Sequence, residues 1–209
     1  MPLKNVVKEF AADSYYHVYN RGVSRQNIFT RDKDYTTFLS LYKRHLSVEP
    51  TQDYIRRPLP HLRSKIELLA FCLMPSHFHL LVYNKEAGGL TDLMRSVMTA
   101  YSMYFNKTHK RKGVLFESTY KASLINNKAY LWHVSRYIHL NPQDINKKYS
   151  SYPFSSYGYY IDKKNAEWLN PGRILAMHGY ELSNYPDFVK DYEAIRAELK
   201  QLRSYLANT

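Results

Sequence analysis

Two apolar runs separated by only three residues constrain the fold of this chain more than any other feature. The first run covers residues 66–73 and the second covers residues 77–83, and each has the length of a β-strand. A three-residue connection joins neighbouring strands as an antiparallel pair, whereas parallel strands need a long crossover. We therefore predict a β-hairpin near the middle of the chain.

Strand and helix patterns alternate on both sides of this hairpin. Alternation rich in Tyr and Val predicts strands, and apolar residues at helical spacing predict helices. The predicted elements are a strand at 14–21, helices at 34–47 and 88–105, a strand near 120–124 and a helix from 126 or 127 to about 140. Pro142 ends that last helix, because proline disfavours helical geometry in the residue before it.

The order strand, helix, strand, strand, helix, strand is that of a split βαβ fold. We predict an α+β, ferredoxin-like domain, in which an antiparallel sheet carries helices on one face and is followed by one further helix. Residues 1–148 are assigned to this domain. Residues 149–209 are assigned to a Tyr-rich segment and a C-terminal helical extension.

The extension is predicted to contain a helix from about residue 187 to 206. Its apolar positions follow a heptad-like spacing and are Phe188, Tyr192, Ile195, Leu199, Leu202 and Leu206. Such a short stripe more often packs on its own domain than on a second copy, so docking is favoured over a homodimer contact. In either case we expect deletion of residues 184–209 to expose an apolar patch, to lower solubility and not to touch a metal site elsewhere in the chain directly.

The charge of the chain indicates its partner. Against 18 Asp and Glu stand 30 Lys and Arg, for a formal net charge of +12, and the first 180 residues carry +13. With 21 tyrosines, this excess favours nucleic acid, because rings stack on exposed bases while cations meet phosphates. The alternative is that the tyrosines fill the core edge and the charge only aids solubility.

Composition also excludes several classes of protein. The single cysteine, Cys72, excludes an intramolecular disulfide and a multi-cysteine zinc site. No apolar run approaches the roughly 18 residues that span a bilayer, and the N-terminal residues lack the apolar block of a signal peptide. We therefore expect a soluble, cytoplasmic protein with no membrane partner.

Two histidines stand at strand spacing on the second run of the hairpin. Residues two apart in a strand point to the same face, so His77 and His79 project together. Two adjacent imidazoles suit a divalent metal. The alternative is a pair of partly exposed polar side chains without a ligand.

Tyr137 and Asn141 stand at helical spacing on the predicted helix after the core, and His133 extends the same face. A tyrosine hydroxyl can act as a covalent nucleophile, and an amide oxygen is a suitable ligand for Mg²⁺ or Mn²⁺. The alternative is that Tyr137 packs at the sheet edge and Asn141 caps the helix. Neither His133 nor His17 is assigned a role by the sequence.

Taken together and in this order, these motifs resemble the single-tyrosine HUH transposases. The matching pieces are Tyr16-His-Val-Tyr-Asn-Arg-Gly22, Leu73-Met-Pro-Ser-His-Phe-His-Leu-Leu81, Gly113-Val-Leu-Phe-Glu117, Arg136-Tyr-Ile-His-Leu-Asn-Pro142 and Tyr152-Pro-Phe-Ser-Ser-Tyr157. The last piece is similar to the branch called REP-associated tyrosine transposases. The resemblance covers residues 14–160, and the connection at 48–64 is longer than is usual in that family.

The resemblance implies a metal-dependent single-stranded DNA endonuclease and strand transferase that acts on hairpin DNA. By residue, it implies that His77 and His79 hold Mg²⁺ or Mn²⁺ with Asn141 as the third polar ligand. Tyr137, on the catalytic helix, would be the nucleophile and form a 5′-phosphotyrosine with a free 3′-OH. Insertion-sequence members of the family act as dimers and the REP-associated branch can act as a monomer, so both states stay open.

Basic residues outside these motifs are candidates for contacts to DNA phosphates. They are Arg21, Arg25, Arg56, Arg57, Lys107, Lys110, Arg111 and Lys112. Such contacts give salt-dependent affinity without reading sequence. The alternative for each basic residue is a solvated surface charge.

The aromatic residues after the catalytic helix also have two interpretations. Tyr152, Phe154 and Tyr157 either stack on DNA bases or attach their segment to the sheet.

Two other functions compete with the transposase. One is a catalytically silent nucleic-acid-binding protein with the same fold, similar to an RRM. The other is a hydrolytic metalloenzyme that uses the histidine pair alone, which leaves Tyr137 and Asn141 unexplained. The presence of all four site residues favours the enzyme.

Overall fold

A computed structural model describes residues 10–53, 55–178 and 184–206. Its sheet has four strands, which are β1 (Ser14–Arg21), β2 (Ile66–Met74), β3 (His77–Asn84) and β4 (Lys121–Ile125). Their order is β2-β3-β1-β4, and all neighbours are antiparallel. Helices α1 (Asp32–Leu46) and α2 (Gly89–Thr108) make the two crossovers. The predicted ferredoxin-like fold is confirmed.

After β4, the regular elements among the described residues are helices. They are α3 (Lys128–Leu140), a 3-10 helix (Asn141–Ile145), α4 (Tyr157–Tyr160), α5 (Gly172–His178) and α6 (Tyr185–Leu206). Two further 3-10 turns cover Val23–Arg25 and Tyr149–Ser151. Within the described residues, no helix is both long and apolar enough to span a bilayer.

The sheet buries both of its faces, because the two sets of helices cover opposite sides. Alternate residues such as Val18, Phe78 and Leu80 share a hydrophobic cluster with α1 and α2. The intervening residues, such as Leu81, share a second cluster with α3 to α6. A β-bulge at 68–70 shifts the alternation in β2. Side chains that point to the second face therefore point toward α3.

The hairpin tip is fixed by the loop that follows β1. The carbonyl of Ser76 accepts a hydrogen bond from the Gly22 amide at 2.8 Å, and the carbonyl of Pro75 accepts from the Ile28 amide at 2.8 Å. A Cβ on Gly22 would lie 2.2 Å from the Gln26 carbonyl oxygen, so only glycine fits this crossing. The start of β3 is thus held against the end of β1.

Helix α3 begins and ends where the sequence predicts. Its first turn is capped by Asn127, whose side-chain oxygen accepts from the Tyr130 amide at 2.7 Å. Pro142 then starts the 3-10 helix instead of continuing α3. Asn127 and Pro142 thus set the two ends of α3, and with them the residues of α3 that lie over the sheet.

The tail helix α6 packs on α3, as the favoured interpretation predicts. Tyr185, Val189 and Tyr192 are buried in the second cluster. The buried stripe differs from the predicted heptad, because Ile195 is 48% exposed. The side chains of residues 199, 202 and 206 lie outside those that the structure describes.

His139 ties α3 to the tail segments through a buried polar contact. Its Nδ1 lies 2.7 Å from the Tyr185 hydroxyl and its Nε2 lies 2.7 Å from Ser156 Oγ. Burial lowers the pKa of His139 from 6.5 to about 3. The folded protein therefore keeps this ring neutral at a pH where the unfolded chain would protonate it.

This neutral ring predicts acid sensitivity. The unfolded chain binds the extra proton, so the stability contributed by His139 is complete above pH 6.5 and is lost as the pH falls toward 3. Between pH 7 and pH 5 the loss is about 2 kcal/mol. Urea denaturation should show that His139→Gln reduces the difference in unfolding free energy between the two pH values by about that amount. The same difference in unfolding free energy between pH 7 and pH 5 in the wild-type protein and in His139→Gln would show that His139 is not the source of the acid sensitivity.

Candidate active site

Helix α3 crosses the second face of the sheet above the histidine pair. The rings of His77 and His79 are 5.2 Å apart, and the ring of Tyr137 is 5.6 Å from that of His79. Asn141, at the end of α3, lines the same cleft, which has a volume of about 790 Å³. The structure thus brings together the four residues that the sequence singles out.

The histidine pair is held in the form that binds a metal. Burial lowers the pKa of His79 well below its ordinary value, and the neighbouring His17 and His77 lower it further. Burial also lowers the pKa of His77, with Arg21 adding to the effect. Both rings are therefore neutral at pH 7, and a neutral imidazole has the lone pair that a metal needs.

Asn141 satisfies both interpretations of its position. It is 1% exposed, and its amide nitrogen donates to the carbonyls of Tyr137 at 2.8 Å and Ile138 at 3.3 Å. The nitrogen therefore caps the helix end. With that atom turned to the helix, the amide oxygen is the ligand atom that Asn141 can offer to the cleft.

These residues fit a metal with few protein ligands. Two neutral imidazoles and one amide oxygen leave coordination positions for the phosphate oxygens and waters that Mg²⁺ and Mn²⁺ take as ligands. Across the described ranges, no group of three or more His, Cys, Asp and Glu side chains is placed to hold a metal. A metal here therefore depends on Asn141 or on the substrate to complete its shell.

His17 is a member of the site to which sequence reasoning assigns no role. On β1 it pairs with Leu81, two residues beyond His79, and its Nε2 lies 2.9 Å from His79 Nδ1. Burial lowers the pKa of His17 to about 4, so it is also neutral. A metal on His79 Nε2 requires the proton on Nδ1, and that N–H then donates to His17. Knowledge of the β1–β3 register would have predicted this contact, because the register places His17 next to His79.

Tyr137 is kept protonated by its surroundings. Burial raises the pKa of its hydroxyl, while the nearby Arg196 opposes that rise. The Arg196 guanidinium carbon is 5.5 Å from the centre of the Tyr137 ring. The phenol must lose its proton during any attack on phosphorus, and Arg196 favours the charged form.

The tail helix forms one wall of the cleft. Tyr192 and Arg196 of α6 line it together with His133 of α3. Deletion of residues 184–209 removes none of the candidate metal ligands, but it removes a wall of the cleft that contains them, which the expectation that the metal site is not touched directly did not foresee. The sequence pattern reveals that α6 is amphipathic, but it does not reveal that Arg196, at the edge of the buried stripe, lies beside Tyr137.

The predicted phosphate-binding residues are spread over the surface, and of these Arg21 lines the cleft. Arg25 follows β1 in a 3-10 turn with φ of 59°. Arg57 pairs with Asp53 at 2.9 Å. The others lie away from the cleft, Arg56 in the 48–64 loop and Lys107, Lys110, Arg111 and Lys112 at the end of α2.

The aromatic residues of the 152–157 segment attach it to the sheet. The ring of Phe154 stacks on Tyr35 at 3.8 Å, and the Tyr152 hydroxyl donates to the Leu73 carbonyl at 2.8 Å. Tyr157 is buried in the second cluster. Their packing supports the second of the two interpretations, in which they hold the backbone and do not stack on bases.

Comparisons with known proteins give the following matches. A family model described as "Transposase IS200 like" matches residues 11–141, which include all four strands and the four site residues. No curated protein matches the chain. A solved structure titled "Structure of the REP associates tyrosine transposase bound to a REP hairpin" aligns with a TM-score of 0.55 and 15% identity. The alignment covers 77% of this chain and 87% of that chain, and at this identity it shows a shared fold.

The position of α6 predicts the effect of truncating the chain before residue 184. Loss of the buried Tyr185, Val189 and Tyr192 uncovers α3 and should lower the melting temperature by at least about 5 °C. Light scattering should give the same number of subunits as in the full-length protein, because this stripe packs within one chain. A change from dimer to a stable monomer on truncation would instead identify the stripe as an interface.

Proposed function

The chain belongs to the IS200-like transposase family, and from that premise we propose that it cleaves and rejoins single-stranded DNA through a covalent bond to Tyr137. The observation that carries the proposal is the meeting of Tyr137 with His77, His79 and Asn141 in one cleft. We propose that these three ligands hold Mg²⁺ or Mn²⁺. A catalytically silent binder of the same fold would have no use for this arrangement.

Each residue has a defined part in the proposed reaction. The Tyr137 oxygen attacks phosphorus, so a new O–P bond forms as the bond from phosphorus to the 3′ oxygen breaks. The phenol gives up its proton and the leaving 3′ oxygen gains one, which produces a 5′-phosphotyrosine and a free 3′-OH. When bound, the metal supplies Lewis-acid stabilisation of the charge that develops on the phosphate.

The rejoining step is the reverse reaction with a different strand. A second 3′-OH attacks the phosphotyrosine, and the Tyr137 phenol leaves and regains its proton. No external energy source is needed, because the covalent intermediate conserves the energy of the broken bond.

We further propose that the substrate contains a DNA hairpin and that the chain belongs to the REP-associated branch. The support is the 152–157 motif and the fold shared with a transposase bound to a REP hairpin. The exposed lysines at the end of α2 and the arginines of the 48–64 loop are proposed contacts to its phosphates. Tyr137 lies over the histidines of its own chain, which supports action by a single subunit.

Tyr137→Phe should abolish the covalent protein–DNA adduct, because one hydroxyl is lost and the ring remains. Affinity for a hairpin-forming oligonucleotide from the DNA that flanks the gene should stay within about threefold. Denaturing gels with Mn²⁺ measure the adduct, and gel shift measures binding. An adduct formed by the Phe variant would remove Tyr137 as nucleophile.

The histidine cluster predicts a graded loss of metal binding. His79→Ala should abolish binding of Mn²⁺ measured by calorimetry, because a central ligand is lost, and cleavage should disappear with it. His17→Ala should weaken Mn²⁺ binding about tenfold, because His79 loses the partner that orients it. His61→Ala, which changes a histidine outside the cleft, is the control. Unchanged affinity in His79→Ala would refute the metal site.

A further inference from the structure

Arg196 stands between the two halves of the site. It comes from α6, near the C-terminal end of the described chain, yet it lines the same cleft as the histidine pair and Tyr137. Its guanidinium carbon is 5.5 Å from the Tyr137 ring, and its charge acts on both Tyr137 and His79. A phosphate placed between the tyrosine and the histidines therefore lies beside this guanidinium.

The guanidinium is only partly engaged within the protein. Its Nη2 donates to Asp144 Oδ2 at 2.6 Å, and the side chain is 16% exposed. Its Nη1 is buried and has no hydrogen-bond partner among the residues that the structure describes. Buried donors are normally paired with protein, water or ligand, so this nitrogen can accept a partner from the cleft that Arg196 lines.

The contact with Asp144 orients the Arg196 guanidinium and leaves other N–H donors of the group available for a ligand. Arginine has five N–H donors in a fixed fork, and one carboxylate occupies only one edge of it. Asp144 therefore orients the guanidinium while the other nitrogen is left for an anion. A phosphate oxygen is the acceptor that this fork matches best.

We propose that Arg196 binds a non-bridging oxygen of the scissile phosphate and holds it in line with Tyr137. The proposal rests on the proposed function and adds to it a catalytic residue contributed by the tail helix. Because Arg196 is a cation, it also stabilises the negative charge that develops as Tyr137 attacks. The competing interpretation is that Arg196 only ties α6 to the 3-10 helix through Asp144.

The same helix offers a matched control for that competing interpretation. Glu193 lies one turn before Arg196 and contacts Gln143, the residue next to Asp144. It thus ties α6 to the same 3-10 helix but does not line the cleft. Glu193→Ala should remove only a contact between α6 and the 3-10 helix. Arg196→Ala should remove such a contact and the proposed phosphate contact as well.

The first measurement needs neither metal nor catalysis. In a Tyr137→Phe background with EDTA, affinity is measured for a hairpin oligonucleotide from the DNA that flanks the gene and for the same hairpin extended by its single-stranded flank. Arg196→Ala should weaken binding of the extended oligonucleotide about tenfold, the value of one charged contact, and leave the hairpin within about twofold. Glu193→Ala should leave both within about twofold.

The second measurement uses cleavage by proteins that retain Tyr137. Arg196→Ala should cleave the natural phosphate about 100-fold more slowly, and Arg196→Lys should recover part of the rate because charge returns without the fork. With a neutral methylphosphonate at the cleavage position, the difference between the wild-type protein and Arg196→Ala should shrink to about threefold.

The outcomes separate the two interpretations and also separate this proposal from the proposed function. Equal losses on both oligonucleotides, or equal losses in the Arg196 and Glu193 variants, would make Arg196 a structural tie. If Arg196→Ala melts too low to assay, Arg196→Lys in the methylphosphonate comparison decides. Absence of an adduct in the wild-type protein would instead refute the nucleophilic role of Tyr137, while the EDTA binding result would still report on Arg196.

Discussion

The antiparallel pairing of β1 with β3 is the interaction on which the site depends. Its register sets Arg21 opposite His77 and Tyr19 opposite His79. The same register places His17 diagonally next to His79, within hydrogen-bond distance. A shift of β1 by one residue would turn Arg21, Tyr19 and His17 to the face that α1 and α2 cover, and so separate them from His77 and His79 on β3. The Gly22 crossing and the hairpin tip at Pro75 and Ser76 secure the register at the end nearest the site.

The second face of the sheet explains why the chain continues beyond the core. A ferredoxin-like sheet with helices on one face leaves the other face exposed, and α3 covers it only in part. The tail segments complete the cover and bury the edge of α3. This burial also keeps the histidines neutral and raises the pKa of Tyr137. Stability of the fold and preparation of the site thus depend on the same packing.

Sequence reasoning predicts the parts of this molecule that depend on local patterns. The hairpin, the strand and helix order and the Asn127 cap follow from spacing, turn residues and proline. The alignment of His77, His79, Tyr137 and Asn141 follows from strand and helix periods and from the family resemblance, and the comparisons confirm that family. The roles of the four residues stay predictions, as do the metal, the hairpin substrate and the cytoplasmic location.

Contacts between distant segments are the parts that local patterns do not reveal. His17 lies beside His79 because of the register between β1 and β3. Arg196 lies in the cleft because α6 packs on α3. From sequence alone, a charged residue on an amphipathic helix is predicted to be a solvated surface group, because the surface on which the helix packs is unknown. The aromatics at 152–157 show the opposite case, because rings that suit base stacking pack on the sheet instead.

The most direct test of this account is to locate the covalent bond between the protein and DNA. The full-length protein is incubated with Mn²⁺ and a hairpin-forming oligonucleotide from the DNA that flanks its gene, and the trypsin-digested adduct is sequenced by mass spectrometry. The account predicts one modified peptide, with a 5′-phosphorylated nucleotide on Tyr137. Attachment to another of the 21 tyrosines, or cleavage without any covalent peptide, would contradict it.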